Sequence, residues 1–272
     1  MNISNLSKFF LVLSLAASCA AQAAEAEISD SDRIAQYREM ISDGNPADFD
    51  EMRGEELWKK PGGPKNATLE KCDLGKGKGV VKGAYAELPR YFKDTKKVQD
   101  LESRLLTCMT TLQGIPEEEI TAKPFASEKK ASDISSLATY VVGQSKGIKM
   151  AVSLKHPKEK EAYEIGKRIF NYRAGPYDFA CSTCHATSEV RIRMQDLPNF
   201  HVQKDAQAAY TSWPAYRVSQ GLTRSFQWRL NDCFRQQRFP EPKFASEATI
   251  DLTMYLAVSA NGAEYAGPGL KR

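Results

Sequence analysis

The 272-residue sequence predicts a mainly α-helical chain made of two similar halves. Three observations carry that expectation. Cys181-Ser182-Thr183-Cys184-His185 spells C-x-x-C-H, a repeat relates the two halves, and each half closes on apolar residues at helical spacing.

C-x-x-C-H is the attachment signature of a c-type haem. Two thiols at this spacing add to the two haem vinyl groups as thioethers, and the adjacent histidine is held beneath the ring, where it can bind iron. The pair Cys181 and Cys184 alone would also suit a zinc or dithiol site. The flanks favour haem, because Tyr163, Gly166, Ile169 and Phe170 form a helical lead-in of the kind that begins a small cytochrome c. The expectation is one covalent haem c, attached through Cys181 and Cys184, with His185 as proximal ligand.

The repeat then organises the chain. Gly54-Glu55-Glu56-Leu57-Trp58 precedes Cys72 as Gly166-Lys167-Arg168-Ile169-Phe170 precedes Cys184. Ala84-Tyr85, Leu88-Pro89 and Tyr91 match Ala209-Tyr210, Trp213-Pro214 and Tyr216, and without a gap Arg104-Leu105 and Cys108 fall opposite Arg229-Leu230 and Cys233. Leu137 to Gly147 and Leu252 to Gly262 close the halves as helices, with the glycines suited to C-terminal caps. Two tandem cytochrome-c-like domains follow, residues 24–150 and 151–272, joined near Lys146 to Lys158. Opposite Cys181, Cys184 and His185 the first domain carries Leu69, Cys72 and Asp73, so it is expected to be haemless. Cys72 and Cys108 can then approach each other. A disulfide there would contribute about 3 to 4 kcal/mol; two buried free thiols are the plainer alternative.

Residues 1–23 read as a secretory signal, with Lys8, the apolar run from Phe9 to Ala17, and Ala21-Gln22-Ala23 as cleavage site. The run is too short to span a bilayer, and Ala16-Ala17-Ser18 before Cys19 is a poor lipobox. No later segment approaches transmembrane length, so an exported, soluble chain is expected. Without Lys8 the formal charge falls from +4 to +3, too weak to argue for nucleic acid. Five cysteines remain of six, and two for haem plus two for a disulfide leave Cys233.

An electron-carrying cytochrome c would use methionine as second axial ligand. Met194 lies close to His185 along the chain, Met254 falls in the closing helix where methionine usually fills core, and His201 is a rival. Cys233 is favoured, because 48 residues after His185 the chain has room to reach the distal side. Arg229 lies four residues before Cys233 and shares its helix face, with Arg224, Arg235 and Arg238 nearby. A guanidinium there lowers a thiol's pKa and offers forked donors to an oxyanion. A solvated basic helix is the bland alternative, and Arg104 precedes Cys108 at the same spacing.

With Cys181 to His185, Trp228-Arg229-Leu230-Asn231-Asp232-Cys233 and Gly83 to Phe92 in place, the whole mature chain resembles the SoxA family, the catalytic cytochrome subunits of a periplasmic thiosulfate-oxidising complex. The resemblance implies L-cysteine S-thiosulfotransferase activity: thiosulfate is oxidatively joined to a cysteine of a SoxYZ-like sulfur carrier, with electrons passing to cytochrome c. It implies a heterodimer with a SoxX-like cytochrome c subunit and a periplasmic location. The family's iron-ligating, catalytic cysteine, often a persulfide, maps onto Cys233, and its substrate-binding arginine onto Arg229. Some members carry two haems; this chain resembles the single-haem type. A simple periplasmic electron-transfer cytochrome c, or a silent assembly subunit, are the other readings.

Overall fold

The computed structural model describes residues 44–127, 130–192 and 195–272. The expected signal segment with Cys19, and Met194, lie outside the described residues. The helices in chain order are α1 (Ala47–Lys59), α2 (Leu101–Cys108), α3 (Glu117–Ala122) and α4 (Asp133–Gly143), then α5 (Pro157–Asn171), α6 (Cys181–His185), α7 (Gln203–Tyr210), α8 (Phe226–Gln236) and α9 (Glu247–Ser259). Short antiparallel ladders punctuate them: β1 (Arg90–Phe92) with β2 (Lys97–Gln99), β3 (Ala126–Ser127) with β4 (Lys130–Ala131), β5 (Arg191–Ile192) with β6 (Gln195–Asp196), and β7 (Ala215–Arg217) with β8 (Leu222–Arg224). β9 (Gly269–Lys271) adds in parallel to β7.

Local chemistry explains the helix starts. Asp100 caps α2 by accepting from the Ser103 amide, and Ser225 caps α8 by accepting from the Trp228 amide. α5 starts on Pro157, with His156 and Glu159 closing a reciprocal capping box. α5 is amphipathic and buries Ala162, Gly166 and Phe170, whereas α9 is apolar nearly all round and buries eight of its residues.

Two helix crossings recur. α1 packs on α4, and α5 packs on α9. In the first, a Cβ on Gly54 would stand 2.0 Å from the Ser136 carbonyl oxygen; in the second, a Cβ on Gly166 would stand 1.9 Å from that of Asp251. Only glycine permits backbone to touch backbone there. Each crossing is flanked by an aromatic pair, Trp58 with Tyr140 (centroids 6.2 Å apart) and Phe170 with Tyr255 (5.3 Å). Both Leu88-Pro89 and Trp213-Pro214 are cis, and each leads into a hairpin and a capped helix.

A continuous apolar core runs through both halves. The segment read from sequence as a joint differs from a free linker. Met150 donates to Ala263 and Ala151 to Ala86, while Tyr265 donates back to Ile148. Val152 and the Asn261 side chain exchange two further hydrogen bonds. The backbone polar groups of this joint are spent on pairing. Replacing Gly166 by Ala should lower stability by about 3 kcal/mol, because neither backbone nor α9 has room to yield; Gly54→Ala should act alike. Urea unfolding of each variant measures this.

Candidate functional site

α6 begins after Ala180, whose amide donates to the Thr183 hydroxyl at 2.9 Å. One helical turn then places Cys181 and Cys184 on a common face, with His185 beside them. The loop that follows holds the imidazole. Nδ1 of His185 lies 2.9 Å from the Pro198 carbonyl oxygen, an acceptor only, so Nδ1 carries the proton and Nε2 keeps its lone pair for a ligand. The Phe200 amide donates to the His185 carbonyl, and its ring meets the imidazole edge-on at 5.7 Å. Burial, and secondarily Arg229, lowers the His185 pKa against the opposing pull of Pro198, which favours the neutral imidazole.

α8 supplies the facing side. Cys181, Cys184, His185, Arg229 and Cys233 all line one cavity of about 520 Å³, a size ordinary for a small-molecule or cofactor site. Phe170, Phe226, Leu252 and Leu256 supply much of its apolar lining. Two thiols and an imidazole on one short helix, a further thiol and a guanidinium on another, and apolar walls between them suit a covalently attached haem. Cys181 and Cys184 would hold it by thioethers, and His185 and Cys233 would offer iron a nitrogen and a sulfur. The thiols sense each other across the space: burial, then Cys233, push the Cys181 thiol up to about 12.

Arg229 does lower the Cys233 thiol, as its spacing predicts. Burial outweighs it, and Asp232 and Cys184 add to the burial, so the net displacement is upward. Part of the Cys233 surface faces the cavity, yet enough protein surrounds the sulfur for desolvation to win. In contact with a metal the balance changes, since a coordinating thiol is deprotonated outright.

The basic cluster read from sequence is organised by a residue that reading passed over. Asp232 is buried, and its carboxylate accepts from Arg229 at 3.1 Å, from Arg235 at 2.6 Å and from Gln236 at 2.7 Å. The Arg229 guanidinium also sits 6.0 Å over the Trp213 ring and remains about a quarter exposed. Arg224 lies 4.9 Å over Trp228, and Arg238 5.6 Å over Tyr177. Asp232 follows Arg229 by three residues, a spacing that ordinary surface pairs also show, so only burial distinguishes it. Of the rival ligands, His201 is exposed and Met254 is fully buried in α9; neither lines the cavity.

The corresponding region of the N-terminal half is filled. Leu69 is fully buried, and Cys72 is bonded to Cys108 across a separation of 36 residues. Asp73 accepts from the amides of Gly75 and Gly77. Arg104 is spent on the Asp73 carbonyl (2.6 Å), Asp94 (2.8 Å) and the face of Phe92 (4.0 Å).

The chain is similar in sequence and in fold to known proteins. Residues 53–150 match the family described as SoxA/TsdA, cytochrome c domain. The chain is 53% identical over 239 residues to the L-cysteine S-thiosulfotransferase subunit SoxA of Hydrogenophilus thermoluteolus, covering 88% of this chain and 87% of that protein. It is 36% identical over 228 residues to the SoxA subunit of Hydrogenobacter thermophilus, covering 84% and 82%. The crystal structure of SoxXA from P. pantotrophus superposes with a TM-score of 0.70 at 21% identity, over 87% of this chain and 84% of that one; at that identity the likeness is one of fold, a mainly helical cytochrome c fold.

The opposing charges around Cys233 make a direct expectation for the haem-free protein with Cys181 and Cys184 changed to Ser. Arg229→Ala should raise the Cys233 pKa and slow its alkylation at pH 8 by about three- to tenfold, and Asp232→Asn should quicken it. Rates of iodoacetamide labelling followed by mass spectrometry decide the sign.

Proposed function

The chain belongs to the SoxA family, and from that membership we propose how its residues carry out the family's reaction. It is an L-cysteine S-thiosulfotransferase subunit, and membership of a cytochrome c family implies haem c as its cofactor. The observation that carries the residue assignment is the sharing of one cavity by Cys181, Cys184 and His185 with Arg229 and Cys233.

In this reading Cys181 and Cys184 would attach a single haem, His185 and Cys233 would bind its iron, and Cys233 would also hold the substrate sulfur. Haem c, when bound, supplies an electron acceptor beside that sulfur. Arg229 binds the sulfonate end of thiosulfate. Its guanidinium is aimed by Asp232 and Trp213, which leaves further N–H donors for an anion. The outer sulfur of thiosulfate and the Cys233 thiolate form an S–S bond with loss of two electrons, which two equivalents of oxidised cytochrome c finally accept, one each. A carrier thiolate of the SoxYZ type, its proton already given to solvent, then attacks the outer sulfur. The bond to Cys233 breaks, and Cys233 leaves as thiolate.

The chain is further read as two tandem cytochrome-c-like domains, 24–150 and 151–272, the first without haem. Repeated helix crossings and hairpins support this, as does the cytochrome c match over 53–150. A SoxX-like cytochrome c is the proposed partner in a heterodimer. The related crystal structure bears the name SoxXA, and exposed Tyr172, Tyr177, Ile192 and Val218 offer apolar surface in the C-terminal half. Residues 1–23 are proposed as a cleaved signal leading to the periplasm; no described helix is long and apolar enough to cross a membrane.

A pyridine haemochrome assay should return one haem per chain. Cys233→Ala should keep that haem, change its ligand-dependent absorption, and abolish conjugation of thiosulfate to the carrier; near-normal turnover would refute the covalent role. Arg229→Ala should leave the absorption nearly unchanged and cost about a hundredfold in turnover, the usual loss for one charged transition-state contact.

A further inference from the structure

The catalytic reading uses one face of α8 and leaves its other side unexplained. There Gln227, only 1% exposed, is gripped by two carboxylates from the N-terminal half. Oε1 of Glu102 accepts from the Gln227 backbone amide at 3.1 Å, and Oδ2 of Asp100 accepts from its side-chain nitrogen at 2.6 Å. The Gln227 side-chain oxygen accepts from the Ala245 amide at 2.8 Å, tying in the segment before α9. Asp100 and Glu102 are 2% and 5% exposed. Acidic side chains this deeply buried are uncommon without a dedicated set of partners.

The arrangement is a meeting of two helix N-termini. Asp100 caps α2 while reaching to α8, and Glu102 on α2 satisfies an amide of the first turn of α8, one of the donors a helix cannot pair internally. Both carboxylates therefore lie where two helix dipoles are positive. At roughly 100° per residue, Gln227 stands about opposite Arg229 and Cys233 around α8. Whatever fixes Gln227 sets the rotation and height of α8, and with them the reach of Arg229 and Cys233 into the cavity.

We propose that Asp100 and Glu102 are positioning residues for the sulfur-carrying helix, so that the N-terminal half contributes to the active site by clamping α8 from behind. The proposal rests on the functional reading of Arg229 and Cys233. Burial displaces both acids upward, Glu102 to about 7 with Asp100 as its next cause. The titratable groups facing the pair are Tyr85 from the turn before β1 and Tyr210 from α7, both held neutral by burial; Ser225 and Gln227 face it from α8. A carboxyl raised in the folded state binds its proton more tightly than the opened chain does. The clamp is then firmest at low pH, weakens as pH rises from the ordinary carboxylate range to about 7, and levels off above.

The test uses the haem-loaded protein with three variants. Hydrogen exchange of the α8 amides, corrected for intrinsic rates, should show protection falling by about tenfold or more between pH 5 and 8 in the wild type, and by about threefold or less in Glu102→Gln, which keeps the acceptor. Glu102→Leu removes the acceptor; it should lose α8 protection at every pH, alter the haem absorption, and cut turnover by about tenfold, while Glu102→Gln retains most turnover at pH 7. Unchanged α8 protection, absorption and turnover in Glu102→Leu, with Cys233→Ala inactive, would overturn the positioning role alone. Activity in Cys233→Ala would instead overturn the functional reading, leaving the exchange data to judge the clamp. If Glu102→Leu does not fold, identical pH dependence in the wild type and Glu102→Gln refutes the proposal.

Discussion

The cavity depends on one backbone contact, that of Gly166 in α5 against Asp251 in α9. The 1.9 Å approach that a Cβ would make there sets how closely the two helices cross. α5 then delivers the chain to α6 and its Cys181, Cys184 and His185, while α9 carries Leu252 and Leu256 into the apolar wall. A side chain at position 166 would force the crossing apart and change the distance between those walls. The α1–α4 crossing at Gly54 repeats the constraint where the interior is filled by Leu69 and the Cys72–Cys108 bond. One helix arrangement thus encloses a cavity in the C-terminal half, while Leu69 and the Cys72–Cys108 bond occupy the corresponding region of the other.

The halves also meet in a way that follows from their likeness. Glu102 and Gln227 are 125 residues apart and bonded to each other. Tyr85 and Tyr210, at the same separation, stack with centroids 6.1 Å apart and planes within 4°. When equivalent positions of two similar units touch each other, the contact is isologous, the geometry of a twofold axis. Such an interface doubles every side chain placed near the axis. Two facing acids would be costly in a buried site, and here one of the facing pair is the neutral Gln227.

Much of this was readable in the sequence where the signal was a spacing. The gapless offset from Tyr85 to Tyr210 and on to Cys108 and Cys233 foreshadows the matched hairpins, and the C-x-x-C-H motif and the i, i+4 pair of Arg229 and Cys233 mark residues that share the cavity. The sequence was silent where burial decides. Asp232 looks like any acid on a charged helix, yet its burial lets it hold two arginines. Asp100 and Glu102 look like ordinary first-turn acids, yet they end in the interior against a residue distant in sequence. The sequence marks a joint near Lys146 to Lys158, but nothing in it shows that the backbone there pairs with residues 261–265. For Cys233 the arginine was visible and the opposing desolvation was not.

Arg104 and Arg229 occupy the same place in the repeat and show how one position is turned from structure to chemistry. Arg104 is 5% exposed, and a carbonyl, a carboxylate and an aromatic face occupy it. Arg229 keeps one carboxylate contact and an open side toward the cavity. That carboxylate is shared with Arg235, so the buried acid is compensated from two directions. An arginine held by a wholly private acid would have to give up a partner to bind an anion, whereas a shared acid lets Arg229 accept a sulfonate while Arg235 still compensates Asp232. The same sharing keeps the site from presenting a bare buried charge when no substrate is there, a state that costs several kcal/mol. Asp232 therefore orients the guanidinium, while the two arginines that share its single carboxylate leave the positive charge that makes an arriving anion bearable in a cavity lined mostly by carbon.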